Sequence, residues 1–186
     1  MNEGELILIL GGARAGKSAF ALRLAAEREA AKSQGVCFIA TAEALDDEMH
    51  ARILRHRRER PAHWATIEEP KRLDSALRRA RDKRIVIVDC LTLFVSNWLM
   101  DRIERDPEAE IARVVERFLS LAAEGRQTII CVSNEVGLGI VPETPLGRRF
   151  RDALGRVNQQ FAQAATQAYL LVAGLPLQLK GRDGQP

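Results

Sequence analysis

The 186-residue chain has little cysteine, few aromatic rings and no long apolar run. Its three cysteines, Cys37, Cys90 and Cys131, form no C-x-x-C pair, and each falls in or at the end of a strand-like run. They read as buried free thiols, which excludes a disulfide framework and a cysteine-rich zinc site. The longest early apolar run, Leu6 to Leu10, is bounded by Glu5 and Gly11. It falls far short of the ~20 residues a membrane span needs and lacks the layout of a signal peptide, so the expected location is the cytoplasm. One Tyr, two Trp and six Phe leave few platforms for stacked bases, which weighs against a nucleic-acid partner. The 28 basic residues are nearly balanced by 25 acidic ones, so the net charge of +3 does not make a general polyanion-binding surface. Only His50, His56 and His63 are available as imidazole ligands, and none forms an i, i+4 pair, so zinc has no support.

What is present is ordinary for a folded domain: 46% apolar and 28% charged residues. The length predicts a single domain over residues 1–180, with a disordered tail over 181–186. Short apolar runs at Leu6–Leu10, Val36–Ala40, Ile85–Val88, Thr128–Val132 and Tyr169–Val172 read as strands buried on both faces. Helical patterns separate them at about Lys17–Lys32, Asp46–Arg60, Leu73–Arg81, Leu91–Arg105, Pro107–Glu124 and Pro145–Gln167. This alternation predicts a three-layer α/β fold with a mostly parallel sheet. Asn134 to Glu143, carrying Gly137, Gly139 and Pro142, reads as a long loop at the edge of the sheet where ligands bind. Asn134 and Glu135, just past a strand end, are candidates for positioning an attacking hydroxyl or a metal-bound water, or simply for shaping that loop.

Gly11-Gly12-Ala13-Arg14-Ala15-Gly16-Lys17-Ser18 is a complete G-x-x-x-x-G-K-[ST] that follows a strand and opens a helix. Glycines let backbone N–H groups wrap a phosphate, and the helix N-terminus adds a favourable dipole. Lys17 is expected to reach the β- and γ-phosphates, and the Ser18 hydroxyl to ligate Mg²⁺. Asp89, at the carboxyl end of the run Ile85-Val86-Ile87-Val88, is the expected second metal-holding acid; the alternative is a cap on the next helix. None of the five lysines is preceded by Asn or Thr, so the guanine-reading element of a regulatory GTPase is lacking.

Arg52, Arg55, Arg57, Arg58 and Arg60 crowd the end of a helix that begins with Asp46, Asp47 and Glu48, an order suited to the helix dipole. A solvated face and an anion-binding face both fit this run. Met49, Ile53 and His56 share one side of the helix, with His50 projecting elsewhere. His56 fits either a structural histidine or a nucleophile kept neutral by neighbouring arginines. The Gly- and Pro-free segment reads as a rigid lever between Thr41–Ala44 and Pro61. Trp64, Trp98 and Phe94 are expected in the core, with the lining of a ligand pocket as the alternative.

Taken together, the phosphate loop, Ile39-Ala40-Thr41-Ala42, Asp46-Asp47-Glu48-Met49, Arg52-Ile53-Leu54-Arg55-His56-Arg57 and Arg60-Pro61-Ala62-His63-Trp64 resemble the bifunctional adenosylcobinamide kinase / adenosylcobinamide-phosphate guanylyltransferase family. The resemblance continues through Val132-Ser133-Asn134-Glu135-Val136-Gly137-Leu138-Gly139-Ile140-Val141-Pro142 and Phe150-Arg151-Asp152-Ala153-Leu154-Gly155-Arg156-Val157-Asn158-Gln159. Ala15 stands where the family commonly has Ser; the position supplies mainly backbone, so little consequence is expected. The resemblance implies a RecA-like P-loop fold and two reactions. A nucleoside triphosphate, ATP or GTP, phosphorylates the aminopropanol hydroxyl of adenosylcobinamide. GMP from GTP is then joined to that phosphate through a guanylyl-histidine, giving adenosyl-GDP-cobinamide and pyrophosphate. By motif position the histidine is His56, with Lys17 the second catalytic residue. The implied nucleotide contacts are Gly11, Gly12, Ala13, Arg14, Ala15, Gly16, Lys17, Ser18, Ala40, Thr41, Ala42, Arg57, Arg58, Glu59, Arg60, Glu68 or its neighbour Glu69, and Asp89, with Mg²⁺ on Ser18 and Asp89. A homotrimer is also implied. Two other readings stand beside this one: a plain small-molecule kinase with a structural His56, and a nucleic-acid-binding ATPase using the arginine-rich helix.

Overall fold

A computed structural model describes residues 4–32, 35–44, 46–101, 103 and 105–181; of the expected tail, 182–186 lie outside the described residues. In chain order the elements are β1 (Glu5–Gly11), α1 (Lys17–Lys32), β2 (Val36–Ala40), α2 (Asp47–Arg58), β3 (Ala65–Glu68), α3 (Leu73–Arg79) and β4 (Ile85–Asp89). They continue with α4 (Leu91–Leu99), α5 (Pro107–Glu124), β5 (Thr128–Val132), α6 (Pro145–Ala164), β6 (Gln167–Val172) and β7 (Leu175–Lys180). The strands form one sheet in the order β3-β2-β4-β5-β1-β6-β7, parallel except for the β6–β7 pair.

The period-2 alternation of a strand divides the core between two faces. Leu6, Leu8 and Leu10 of β1 pack with residues of α3 to α6, whereas Ile7 and Ile9 pack with Phe20, Ala21 and Ala25 of α1 and with Trp64. Central strands are therefore apolar throughout, and the three-layer α/β expectation holds. Phe94, Trp64 and Trp98 are all core residues.

Two strands escape a reading by apolar runs. Strand β3 has only four residues, alternately half-buried and exposed; β7 is an exposed edge strand that carries Pro176, tolerable because an edge has one unpaired side. Helix α4 ends at Leu99, six residues before the expected Arg105. There Asp101 turns the chain, its Oδ1 accepting from the Ile103 N–H at 2.9 Å. Likewise α6 stops at Ala164, because Gln167 already belongs to β6, where it pairs with Ile7 of β1.

Candidate active site

Register assembles the site. Glu68 pairs with Ala40, Ala40 with Asp89, Asp89 with Val132, and Val132 with Ile9. This row crosses five neighbouring strands at their carboxyl ends, with ~4.8 Å between strands. Row members point to the same face, here the side carrying α1.

The phosphate loop leaves this row one strand beyond Val132. Gly11 and Gly16 have φ of 150° and 91°. A Cβ on Gly11 would meet the Leu171 carbonyl oxygen at 2.6 Å, so the close approach to β6 demands glycine. The turn between β6 and β7 leans on the loop, with the Gly174 N–H donating to the Ala15 carbonyl at 3.1 Å. Lys17 is buried, and its ammonium donates to the Gly12 carbonyl at 2.6 Å, inside the loop it is expected to serve. Burial lowers the Lys17 pKa below the ordinary lysine value, partly opposed by Cys90 and Asp89.

Beside the loop lies a cavity of about 280 Å³ bordered by Ser18, Ala40, Ala42, Met49, Ile53, His56, Arg57, Arg60, Glu68 and Asp89. It thus joins the metal-ligand candidates to the histidine of α2. Asp89 does not cap α4: the N-cap is Cys90, and no side chain caps that helix. His50, Arg52 and Leu54 also border the cavity, so the face α2 presents is broader than Met49, Ile53 and His56 alone, and His50 does not project elsewhere. His56 Nδ1 lies 3.3 Å from Glu59 Oε2. A proton held between those atoms leaves the lone pair on Nε2.

Arg60 brings a positive charge to the cavity. Its guanidinium sits 3.5 Å from the centroid of the Phe38 ring, and its buried Nε has no hydrogen-bond partner among the described residues. Burial lowers its pKa from the usual arginine value, with Asp89 opposing. A half-buried guanidinium with an unused N–H suits an anion. The thiol of Cys90, also at the cavity, is pushed up to about 11 by burial and by Asp89, which keeps it protonated and inert near neutrality.

Some expected residues fall elsewhere. Thr41 is fully buried on the α4 side, because alternation turns Ala40 and Ala42 toward α2 and the residue between them away. Its hydroxyl accepts from the Cys90 N–H at 2.6 Å and donates to the Cys90 carbonyl at 2.8 Å. It clasps the ends of β2 and β4 instead of lining the cavity. Arg58 and Glu59 do not border the cavity, nor do Gly11 to Lys17. Of the two adjacent acids, Glu68 borders it, while Glu69 receives the N–H groups of Lys71 and Arg72. His63 pairs with Glu29 on α1. Beyond β5, the Asn134 N–H donates to Thr92 Oγ1 at 2.7 Å, and Asn158 Nδ2 donates to the Asn134 carbonyl at 3.0 Å. Thr92 and Asn158 carry no sequence mark of this bracing role, which arises only when α4, β5 and α6 meet.

Similarity to known proteins agrees with this architecture. The family model described as "Cobinamide kinase / cobinamide phosphate guanyltransferase" matches residues 7–179. The bifunctional adenosylcobalamin biosynthesis protein CobP of Pseudomonas aeruginosa is 47% identical over 175 residues, covering 94% of this chain and 96% of that protein. The corresponding CobU of Escherichia coli is 40% identical, with 94% and 99% covered. A solved ATPase domain, 17% identical, superposes with a TM-score of 0.59 over 99% of this chain and 79% of its own, a likeness of fold alone. The fold is the RecA-like P-loop one, and among the described residues no helix is long and apolar enough to cross a membrane. With the family match running from β1 into β7 and relatives aligned nearly end to end, the chain belongs to the cobinamide kinase / cobinamide phosphate guanyltransferase family of cobalamin-biosynthesis enzymes.

Proposed function

We propose that the chain phosphorylates the aminopropanol hydroxyl of adenosylcobinamide with ATP or GTP, then transfers GMP from GTP to the product through a guanylyl-His56 intermediate. The observation that supports this most is that Ser18, Asp89 and His56 border one and the same cavity. In the first reaction the loop from Gly11 to Ser18 wraps the polyphosphate. Lys17 exchanges its bond to the Gly12 carbonyl for the phosphate oxygens. Mg²⁺ prefers one or two protein oxygens plus phosphates and water, and Ser18 with Asp89 fits that demand. When bound, the ion neutralises phosphate charge.

In the second reaction Glu59 holds the proton of His56 at Nδ1, so Nε2 attacks the α-phosphorus of GTP. A P–N bond forms and the bond to pyrophosphate breaks; Arg57 and Arg60 offset the charge on the leaving group. A phosphate oxygen of the acceptor then attacks the same phosphorus, and the P–N electron pair returns to Nε2. This reading has residues 1–180 act as one catalytic unit, in a cytoplasmic homotrimer; the family resemblance supports the trimer, and sedimentation equilibrium tests it.

Incubation with α-labelled GTP is expected to give an acid-labile, alkali-stable adduct on the wild-type chain. The His56→Ala variant should give none, yet still pass the γ-phosphoryl group to cobinamide. Equal labelling of both proteins would show that another residue is the nucleophile.

A further inference from the structure

The family's substrate carries a corrin macrocycle with peripheral amides, larger than the ligands that fill ordinary pockets of about 300–1,000 Å³. The cavity between Ser18 and His56 offers about 280 Å³. Nucleotide phosphates and the hydroxyl-bearing arm must share that space, so the ring has to rest on the rim, within an arm's length of Ser18 and Asp89.

One segment that starts against the phosphate loop is suited to this. The loop that follows β5 exposes Leu138 at 84%, Ile140 at 96% and Val141 at 64%. Isolated exposed apolar residues are common, but three within four positions of one short loop call for a partner. The loop is braced at both ends. At its start the Glu135 N–H donates to the Gly11 carbonyl at 3.1 Å, and Glu135 Oε1 accepts from the Gly137 N–H at 2.7 Å. At its end Arg148 donates to the carbonyls of Pro142 at 2.9 Å and Glu143 at 2.6 Å. Bare apolar side chains on a braced loop form a preorganised platform, which limits the entropy lost on binding. Strand β5 stands between β1 and β4, so the loop leaves the sheet between the strands that carry the phosphate loop and Asp89.

We infer that Leu138, Ile140 and Val141 form the docking surface for the apolar face of the corrin ring, placing its hydroxyl arm over the phosphate loop. The inference rests on the proposed function, and the test separates the two. Cobinamide is the probe, followed by corrin absorbance in equilibrium dialysis against the full chain and a Leu138→Ser/Ile140→Ser variant. Affinity for a fluorescent GTP analogue and hydrodynamic mass are measured on both proteins.

The variant is expected to bind cobinamide at least about tenfold more weakly, as losing two buried aliphatic contacts implies, with GTP affinity within about twofold and mass unchanged. A Leu138→Met/Ile140→Leu variant should retain binding, since it keeps apolar volume. Equal binding of cobinamide by the serine variant and wild type overturns the docking surface while leaving the two-step reaction standing. A fall in mass overturns it in favour of a contact between copies of this chain. A parallel loss of GTP affinity overturns it in favour of a loop that only supports the phosphate cradle. Absence of cobinamide binding by the wild-type chain would overturn the proposed function itself, and the docking surface with it.

Discussion

Ser18, where the phosphate loop enters α1, and helix α2 border one cavity, yet the loop and the helix are held in different ways. The loop grows from a strand whose residues from Leu6 to Gly11 are all buried, and it is braced by the β6–β7 turn. Helix α2 has no buried residue at all. Its stability comes from local features: Asp46 caps it by accepting from the Met49 N–H at 2.7 Å, acids occupy its first turn and bases its last. Its firm attachment lies just beyond its end. Arg60 rests on Phe38, and buried Trp64 donates its indole N–H to Glu29 on α1 at 2.7 Å. One partner in the proposed chemistry is thus set rigidly in the core, and the other is carried on an arm fastened at its foot. Weakly packed elements open at low free-energy cost, which suits the two successive substrates of the proposed reactions.

The largest contrast should appear in stability. Phe94→Ala, on the buried face of α4, is expected to cost ~3–5 kcal/mol, whereas Leu54→Ala on α2 should fall within about 0.5 kcal/mol of wild type. Denaturant melts of both variants check this, and comparable losses would mean that α2 is part of the cooperative core. Chemistry should divide the regions next. Lys17→Ala is expected to slow phosphoryl transfer and guanylylation alike by roughly 10²–10³-fold, as for loss of one preorganised charge. His56→Ala should remove only guanylylation, so a Lys17→Ala protein that still guanylylates at the wild-type rate would show two separate phosphate sites. A smaller effect is expected at the foot of the arm. Glu29→Ala leaves the indole N–H of buried Trp64 without its acceptor and should cost about 1–3 kcal/mol. Its amide exchange should rise in residues 60–64 before it rises in β1, and uniform exchange across both segments would contradict a distinct foot.

Legibility in the sequence followed the same divide. The phosphate loop is contiguous and demands particular residues, so Gly11, Lys17 and Ser18 can be named from order alone. The central strands are equally plain, because burial on both faces leaves uninterrupted apolar runs. Strands β3 and β7 are exposed edges and leave no such run. Thr41 looked equivalent to Ala40 and Ala42, and only the direction of its side chain, set by the pleat and by Cys90, takes it out of the cavity. The pairing of Arg60 with Phe38 and the bracing of Asn134 by Thr92 and Asn158 depend on elements far apart in the chain.

The sequence by itself determined the glycine-rich loop, the parallel sheet and the order of the family motifs, because each rests on local spacing or on burial that composition records. Tertiary structure alone decided that Glu68, Ala40 and Asp89 stand in one row, that Glu68 and not Glu69 reaches the cavity, and that His56 shares a space with Ser18. Strand register and helix placement are collective outcomes of packing, and no single stretch of chain encodes the distance between two others.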